Sequence, residues 1–218
     1  MKNNIKAVIF DMDGVISDTL DIHCRAESEI LSGYGINISI KQIPERYNGV
    51  PDTEMFKDIF EKANKTENIQ EVYDKKWKLM EKLLKNNIRA IPGAIPLINI
   101  LRENNFLLGV ASSTPIEFIE QVVKTLDIKE KFYALTSTYE VKHGKPNPDI
   151  FLLAAKKLGT KPQECVVIED ATSGIQAAKN AGMKCIAITT THKKEDLAQA
   201  DKIIDNFSEL TISLINSL

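Results

Sequence analysis

The stretch VIFDMDGVISDT, residues 8–19, indicates the fold class of this chain. It begins with an apolar run and continues directly into two aspartates, Asp11 and Asp13, separated by one residue. Side chains two positions apart on a strand point to the same side, so both carboxylates are expected just beyond the carboxyl end of a first strand. Open α/β sheets bind their ligands at that end. The pair therefore indicates a functional site, although an aspartate before a glycine, here Gly14, often only shapes a turn.

Further short apolar runs predict the rest of a parallel sheet that is covered on both faces. Together with the first run they span residues 5–10, 106–111, 132–136, 165–168 and 184–189. From residue 106 onward, helical stretches separate the runs, which is typical of repeated strand–helix–strand units. The pattern predicts an α/β protein with a doubly wound parallel sheet.

Almost a hundred residues separate the first two predicted strands, far more than one crossover needs. Apolar residues recur at helical spacing in this segment, over residues 55–60 and 69–84. We therefore expect residues 18–88 to form a second, all-helical domain, and residues 1–17 and 89–218 to form the α/β core. Trp77 lies in the helical insertion, where we expect it to be a packing residue.

The composition limits the class of partner. The 218 residues are 43% hydrophobic and 27% charged, and a net charge of -2 with a pI near 6.0 gives no basic field for nucleic acid. No segment resembles a signal peptide or approaches the roughly 20 apolar residues of a membrane helix. We expect a soluble, cytoplasmic protein that binds a small molecule. Cys24, Cys165 and Cys185 have no metal or redox spacing and are expected to be buried thiols.

The second predicted strand is followed by polar residues and a helix start. Ser112 and Ser113 end the strand, where a hydroxyl and the free N–H groups of the following helix predict an anion site. Thr114-Pro115-Ile116-Glu117 has the spacing of a capping box with proline at the first helical position, and Asn147-Pro148 repeats the arrangement before a later helix. A helix cap alone would also explain the serines and Thr114.

Charged residues lie at two other strand ends. Lys145 precedes a proline in a loop, and Glu169-Asp170 follow the fourth predicted strand. A loop lysine is usually solvated, and an acidic pair before a helix often caps it. Next to Asp11 and Asp13, however, further carboxylates at one sheet edge require a cation. Oxygen ligands from Asp11 and Asp170 suit Mg²⁺, and the whole set suits phosphoryl transfer.

Four motifs in order, FDMDGV, VASS, HGKPNPDIF and VIEDATSGIQAAKNAG, resemble those of the haloacid dehalogenase superfamily, in the branch with a helical cap inserted after the first strand. The match covers nearly the whole chain and implies a Rossmann-like core. It implies that Asp11 attacks phosphorus to give an aspartyl-phosphate and that Asp13 acts as general acid and then as base. It also implies that Ser112 and Lys145 hold the phosphoryl group.

The same resemblance implies a magnesium site formed by the Asp11 carboxylate, the Asp13 backbone carbonyl and Asp170. Glu169, beside Asp170, is a further candidate ligand. Gly14 and Ser113 complete the candidate substrate-binding residues of the core.

An acid at position 13 favours a phosphate ester as substrate, since dehalogenases and phosphonatases of this superfamily lack it. Closer similarity is to β-phosphoglucomutase and sugar-phosphate phosphatases. His23 matches a histidine of the mutase, but Asn48-Gly49 and Asp52 stand where the mutase has a lysine–glycine pair and an arginine that grip a second phosphate. A carboxylate repels a phosphate dianion, by about 1 kcal/mol at roughly 4 Å in water. His23, Asn48 and Asp52 are the candidate specificity residues, although His23 could equally be a half-buried helix histidine.

We therefore expect a Mg²⁺-dependent phosphatase that hydrolyses a small phosphorylated metabolite, such as a sugar phosphate, with a phosphosugar mutase as the alternative. Phosphoglycolate-like acids and nucleotide monophosphates also fit the motifs, and a monomer is the simple expectation. From another class, a receiver-type signalling module combines an acceptor Asp, a hydroxyl and a lysine on a similar sheet. It lacks the second aspartate and the helical insertion. A noncatalytic binding protein is the remaining alternative, but every catalytic position is filled.

Overall fold

Within the residues that the computed structural model describes, 5–47, 50, 52–84 and 87–218, six strands form one parallel sheet. The strands are β1 (Ala7–Phe10), β2 (Leu107–Ser112), β3 (Ala134–Ser137), β4 (Cys165–Glu169), β5 (Lys184–Ile188) and β6 (Lys202–Ile204), in the spatial order β3-β2-β1-β4-β5-β6. The doubly wound α/β fold expected from the sequence is confirmed. The sixth strand, β6, was not predicted from the sequence. It is short, lies at the sheet edge and is only partly buried, so it lacks the continuous apolar run by which the other strands were recognised.

Strand β1 lies in the middle of the sheet and is fully buried. It pairs with β2 on one side, Ala7 opposite Leu107, and with β4 on the other, Ala7 opposite Cys165. The chain proceeds outward from β1 through β2 and β3, and then crosses to β4, β5 and β6. The boundary between β1 and β4 is thus the topological switch point, where open α/β sheets form a ligand-binding crevice at their carboxyl ends.

The helices of the described residues are α1 (Leu20–Gly33), α2 (Gln42–Tyr47), α3 (Asp52–Lys62), α4 (Ile69–Leu84), α5 (Ala94–Glu103), α6 (Ile116–Thr125), α7 (Asp149–Lys157), α8 (Thr172–Asn180) and α9 (Ile212–Asn216). Helices α7 and α8 pack their small apolar faces on the sheet, with Phe151, Ala154 and Ile175 in the same buried cluster as Ile9 and Val167. None of the described helices is both long and apolar enough to cross a membrane.

The chain divides into two compact units, one comprising Met1–Asp18 with Arg89–Leu218 and the other Thr19–Ile88. The first holds the sheet, and the second holds α1 to α4. The helical unit has its own apolar core, formed by Cys24, Leu31, Ile43, Met55, Phe56, Ile59, Phe60 and Val72. Trp77 is buried in α4, and the three cysteines are buried free thiols, as expected.

The predicted side-chain caps of α6 and α7 are wrong. Helix α6 begins at Ile116 and α7 at Asp149, and neither helix has a side-chain cap hydrogen bond. A capping threonine accepts a hydrogen bond from the helix backbone. The Thr114 hydroxyl instead donates to the Asp13 side chain at the end of another strand, at 2.8 Å. The Asn147 amide donates to the Gly144 carbonyl at 3.2 Å.

Candidate active site

Lys145 joins the two strand ends at the switch point. Its ammonium group donates to Asp11 Oδ1 at 2.6 Å and to Glu169 Oε1 at 2.7 Å. Asp11 follows β1, and its own N–H continues the sheet pairing by donating to the Ile168 carbonyl at 2.9 Å. All three side chains are buried. A loop lysine is thus held inside the crevice by two carboxylates.

The buried charges alter one another's protonation. Burial raises the pKa of the Asp11 carboxyl to about 7; the Lys145 charge opposes this rise, while the charges of Glu169 and Asp13 add to it. Although burial disfavours the Lys145 ammonium, Asp11 and Glu169 raise its pKa above the ordinary value. Burial, and then the charges of Glu169 and Asp11, raise the pKa of Asp170 well above its ordinary range. The crevice therefore contains more carboxyl groups than one lysine can neutralise.

Asp13 is held from the β2 side. Thr114 Oγ1 donates to Asp13 Oδ2 at 2.8 Å, and Ser112 Oγ approaches the same oxygen at 3.2 Å. The Ser112 hydroxyl also accepts from the Thr114 N–H at 3.1 Å, and Ser137 Oγ of the neighbouring strand donates to the Thr114 carbonyl at 2.7 Å. Ser112 and Thr114 are buried, whereas Ser113 is exposed. The structure thus brings Asp13 and Ser112 together.

The turn after Asp13 requires glycine at position 14. Gly14 has φ +85°, and its N–H donates to the Ser17 carbonyl at 2.8 Å. A Cβ atom there would overlap the Asp170 carboxylate, with Asp170 Cγ only 2.9 Å away. Because Gly14 has no side chain, the Asp170 carboxylate can reach the turn that follows Asp11 and Asp13.

Both oxygens of Glu169 are engaged by hydrogen-bond donors. Oε1 accepts from Lys145, and Oε2 accepts from the backbone N–H groups of Asp170 and Ala171, each at 2.9 Å. Gly174, one turn into α8, lies so close that a Cβ atom would overlap the Glu169 carboxylate. Glu169 is therefore fixed in place as the partner of Lys145.

The donor chemistry of the crevice fits a hard divalent cation. Four carboxylates, those of Asp11, Asp13, Glu169 and Asp170, act on one another here, with Lys145 as the ammonium among them. Among the described residues, no three His, Cys, Asp or Glu side chains form a metal-binding group by themselves. Mg²⁺ commonly takes only one or two carboxylates and completes its shell with other oxygens and water. The Asp11 and Asp170 carboxylates and a backbone carbonyl of the adjoining turn are such donors.

Comparison with known proteins gives the family. The family model described as haloacid dehalogenase-like hydrolase matches residues 8–188, which include every core residue of this site. The chain belongs to the haloacid dehalogenase-like hydrolases. Hexitol phosphatase B of Escherichia coli strain K12 is 31% identical over 216 residues, covering 95% of each chain. β-Phosphoglucomutase of Bacillus subtilis strain 168 is 32% identical over 221 residues, 97% of this chain and 94% of that protein.

A solved structure in the same haloacid dehalogenase-like group has a similar fold. The crystal structure of β-phosphoglucomutase from Clostridium difficile superposes with a TM-score of 0.85 at 31% identity, covering 97% of this chain and 95% of that one. The recognition of the superfamily from its four motifs is confirmed.

The candidate specificity residues of this haloacid dehalogenase-like chain belong to the helical unit. Lys76 of α4 is fully buried there, donating to Asp52 Oδ2 at 2.6 Å and to Glu27 Oε1 at 2.7 Å. His23 Nδ1 lies 3.2 Å from the same ammonium group, and the His23 ring meets the Trp77 ring edge-on. Asp52 and His23 thus belong to one charged cluster. Asn48 lies outside the described residues.

Sequence reasoning missed several polar residues of the two units. Lys76 carried a detectable signal, since it stands four residues from Val72 and from Met80 and so within the apolar stripe of α4. The sequence pattern around Thr114 predicts a helix cap and gives no sign of its contact with Asp13. Thr190 and Thr191 follow β5, and strand-end position was the only available signal. Thr190 donates to the Gly14 carbonyl at 2.6 Å, and Thr191 donates to the Asp170 carboxylate.

Proposed function

We propose that this haloacid dehalogenase-like hydrolase is a Mg²⁺-dependent phosphatase that hydrolyses a sugar or sugar-alcohol monophosphate through an aspartyl-phosphate at Asp11. The observation that carries the proposal is the Lys145 ammonium, buried between Asp11 at 2.6 Å and Glu169 at 2.7 Å. A nucleophilic carboxylate next to a fixed cation provides the positioning and charge neutralisation that phosphoryl transfer needs.

In the first step, the Asp11 carboxylate forms a bond to phosphorus while the bond from phosphorus to the substrate oxygen breaks. Asp13 gives its proton to the leaving alcohol, so that no alkoxide is released. Thr114 and Ser112 converge on Asp13 Oδ2, so this oxygen is held in one orientation. In the second step, a water oxygen forms a bond to phosphorus while Asp13 takes a proton from that water. The Asp11–phosphorus bond breaks, which releases inorganic phosphate and restores the Asp11 carboxylate.

Lys145 and Ser112 bind the phosphoryl oxygens in this proposal. Lys145 also keeps Asp11 oriented, and Glu169 acts by positioning Lys145, because donors engage both Glu169 oxygens. Asp11, Asp170 and the Asp13 backbone carbonyl would hold Mg²⁺, which when bound neutralises charge on the phosphoryl group. Gly14 supports this site by admitting the Asp170 carboxylate beside its turn. Ser113 is kept as a candidate for contact with the substrate, since its side chain is exposed at the same strand end.

The helical unit, residues 18–88 in the sequence expectation, is proposed as the cap that recognises the leaving group. Its Glu27–Lys76–Asp52 cluster has two carboxylates for one ammonium, so it provides no surplus positive charge for a second phosphate. The ion pair with Lys76 does weaken the repulsion that the Asp52 carboxylate would exert on a phosphate dianion. Hydroxyl groups of a sugar or hexitol suit such a cluster better, in line with the similarity to hexitol phosphatase B. His23 and Asn48 remain candidates for the same role.

A phosphosugar mutase is the second candidate, favoured by the similarity to the β-phosphoglucomutases of Bacillus subtilis and Clostridium difficile. A mutase returns the phosphoryl group to a sugar, whereas a phosphatase passes it to water. The two reactions therefore differ in product, and a single assay separates them.

The test is a panel of sugar, hexitol, nucleotide and carboxylic acid monophosphates with Mg²⁺, measuring released phosphate. We expect steady release from sugar or hexitol phosphates and no turnover by Asp11→Asn or Asp13→Asn. β-Glucose 1-phosphate is assayed with and without a sugar bisphosphate activator, and isomerised sugar phosphate in place of free phosphate would establish the mutase. A single labelled turnover without steady release would instead indicate a phosphoacceptor module.

A further inference from the structure

The segment that follows β5 makes specific contacts with two other strand ends. Thr190 Oγ1 donates to the Gly14 carbonyl at 2.6 Å. Thr191 Oγ1 donates to Asp170 Oδ2, and the same atom lies 3.2 Å from the Asp170 carbonyl oxygen. The Thr191 methyl group also packs against Gly14, at 3.0 Å from the place that a Cβ atom would occupy. Residues 190–191 therefore touch both the turn after β1 and the carboxylate after β4.

We propose that Thr190, Thr191 and His192 form a positioning element that holds the Asp170 carboxylate and the Gly14 turn in the arrangement needed to bind Mg²⁺. The inference rests on the magnesium site of the proposed function. Neither threonine needs to touch the substrate or the metal; each acts through the group it binds. A carboxylate that is already oriented loses less conformational freedom when it binds a cation, so its affinity is higher.

The direction of the hydrogen bonds follows from the single proton of the Thr191 hydroxyl. When Asp170 is ionised, this proton is donated to Oδ2, and the Thr191 oxygen can only accept further bonds. His192 Nδ1 lies 2.9 Å from the Thr191 oxygen and is then the donor to it. A chain from His192 through Thr191 to Asp170 fixes the rotation of the hydroxyl. The carboxylate thereby keeps one defined orientation toward the crevice.

The chain supplies a matched control at the same strand end. Thr189 directly follows β5, and its hydroxyl donates to Asp205 Oδ1 at 2.9 Å, away from the Gly14 turn and Asp170. Thr189→Val and Thr191→Val thus remove the same hydroxyl from neighbouring positions, and only the second removes the bond to Asp170. Thr191→Ser keeps that hydroxyl and tests whether the bond, and not the methyl group, is responsible.

The experiment measures Mg²⁺ binding directly, by calorimetric titration of the full chain without substrate, for the wild type and the three variants. Loss of an outer hydrogen bond to a metal ligand typically weakens metal binding about 10- to 100-fold. We expect a loss in this range for Thr191→Val and wild-type affinity for Thr191→Ser and Thr189→Val. The magnesium concentration that gives half-maximal phosphate release should change in the same order.

Circular dichroism in the presence of a chelator checks that each variant is folded. If Thr191→Val does not fold, His192→Phe serves instead, because it keeps a ring of similar size and removes the Nδ1 donor; weaker Mg²⁺ binding by it is expected. A folded Thr191→Val, or failing that His192→Phe, with wild-type Mg²⁺ affinity overturns the positioning role. A wild-type chain that binds no Mg²⁺ overturns the magnesium site of the proposed function as well, so the two failures are distinguishable.

Discussion

Thr114 contacts Asp13, the proposed general acid, and is expected to position it. Its hydroxyl donates to Asp13 Oδ2 at 2.8 Å. We predict that Thr114→Val lowers kcat/KM for a sugar phosphate about tenfold more than for p-nitrophenyl phosphate, because an alkoxide needs a well-placed acid to leave and a nitrophenolate does not. Steady-state kinetics with the two substrates gives this ratio.

Thr114→Ser is the control, since it keeps the hydroxyl and should restore the wild-type ratio. A change in fold alone would lower both values of kcat/KM by a similar factor. An unchanged ratio in a folded Thr114→Val would show that the contact does not position Asp13.

Asp170 illustrates a conflict between stability and the proposed function. Burial, and then the charges of Glu169 and Asp11, raise the pKa of its carboxyl well above the ordinary range, so the ionised carboxylate in this position opposes folding. In a chelating buffer, Asp170→Asn should therefore raise Tm by about 2–4 °C, the effect of about 1 kcal/mol in a chain of this size. Added Mg²⁺ should raise the wild-type Tm and leave that of the variant unchanged. A lower Tm in chelator would contradict this account.

At the residue scale, sequence patterns predicted the acidic and basic members of the site and the Ser112 hydroxyl, but not the hydroxyl partners Thr114 and Thr191. Asp11, Asp13, Lys145 and Asp170 stand in distinctive motifs at strand ends, and the structure places them around one crevice. Thr114 also fits a capping pattern, and only the tertiary structure determines that its hydroxyl donates to Asp13. Local spacing does not reveal contacts between residues that are about a hundred positions apart.

At the scale of the element, helix α8 is constrained by the glycine that faces Glu169. Alanine normally favours a helix over glycine by about 1 kcal/mol. At Gly174, however, a Cβ atom would overlap the Glu169 carboxylate. We predict that Gly174→Ala destabilises the protein by about 1–3 kcal/mol. Urea unfolding measures the change.

Gly33, the last residue of α1, provides the matched control. Among the described residues, and apart from its chain neighbours and the helix's own backbone, no heavy atom lies within 4 Å of a Cβ atom built there. Gly33→Ala should be neutral or stabilising by up to about 1 kcal/mol. Equal destabilisation by both substitutions would mean that contact with Glu169 is not the cause.

Asp201 ties the start of β5 to the edge of the sheet. Burial disfavours its charge, but hydrogen bonds from Lys179, the Cys185 N–H and Lys184 outweigh this and lower its pKa. A lowered pKa in the folded state stabilises the protein above the unfolded-state pKa of about 3.9, and this contribution is lost as the pH falls through the folded-state value. We predict that Asp201→Asn costs about 1–3 kcal/mol near neutral pH. Urea unfolding across the acid range should show the difference from wild type shrinking below about pH 4; a constant difference would contradict it.

Element positions were largely predictable because buried parallel strands and amphipathic helices have strong periodic signals. The runs at residues 5–10 and 165–168 correspond to β1 and β4. Strand β6 has only three residues, lies at the sheet edge and is exposed at its first residue. It can therefore be identified as a strand from its pairing with β5 but not from its sequence. Lys76 interrupts the apolar stripe of α4, and its partners Glu27 and Asp52 come from two other helices.

At the scale of the whole molecule, each of the two units has an apolar core, and the proposed magnesium ligands all lie in the unit with the sheet. Trp77, the only tryptophan in the sequence, lies in the helical unit. We predict that Mg²⁺ raises the midpoint of a thermal transition seen by far-ultraviolet circular dichroism and leaves the Trp77 fluorescence midpoint unchanged. Equal shifts of both midpoints would indicate that the two units unfold as one.

The central place of β1 has a consequence for synthesis on the ribosome. Strand β1, which directly precedes Asp11, is synthesised before the other strands of the sheet, yet its second neighbour, β4, begins only at Cys165. At about 5–20 residues per second, translation leaves one edge of β1 without its native partner for roughly 8 to 30 seconds. During this interval the nascent chain exposes a long-range pairing surface of high β-propensity, which makes it a natural client for chaperones that shield emerging apolar segments.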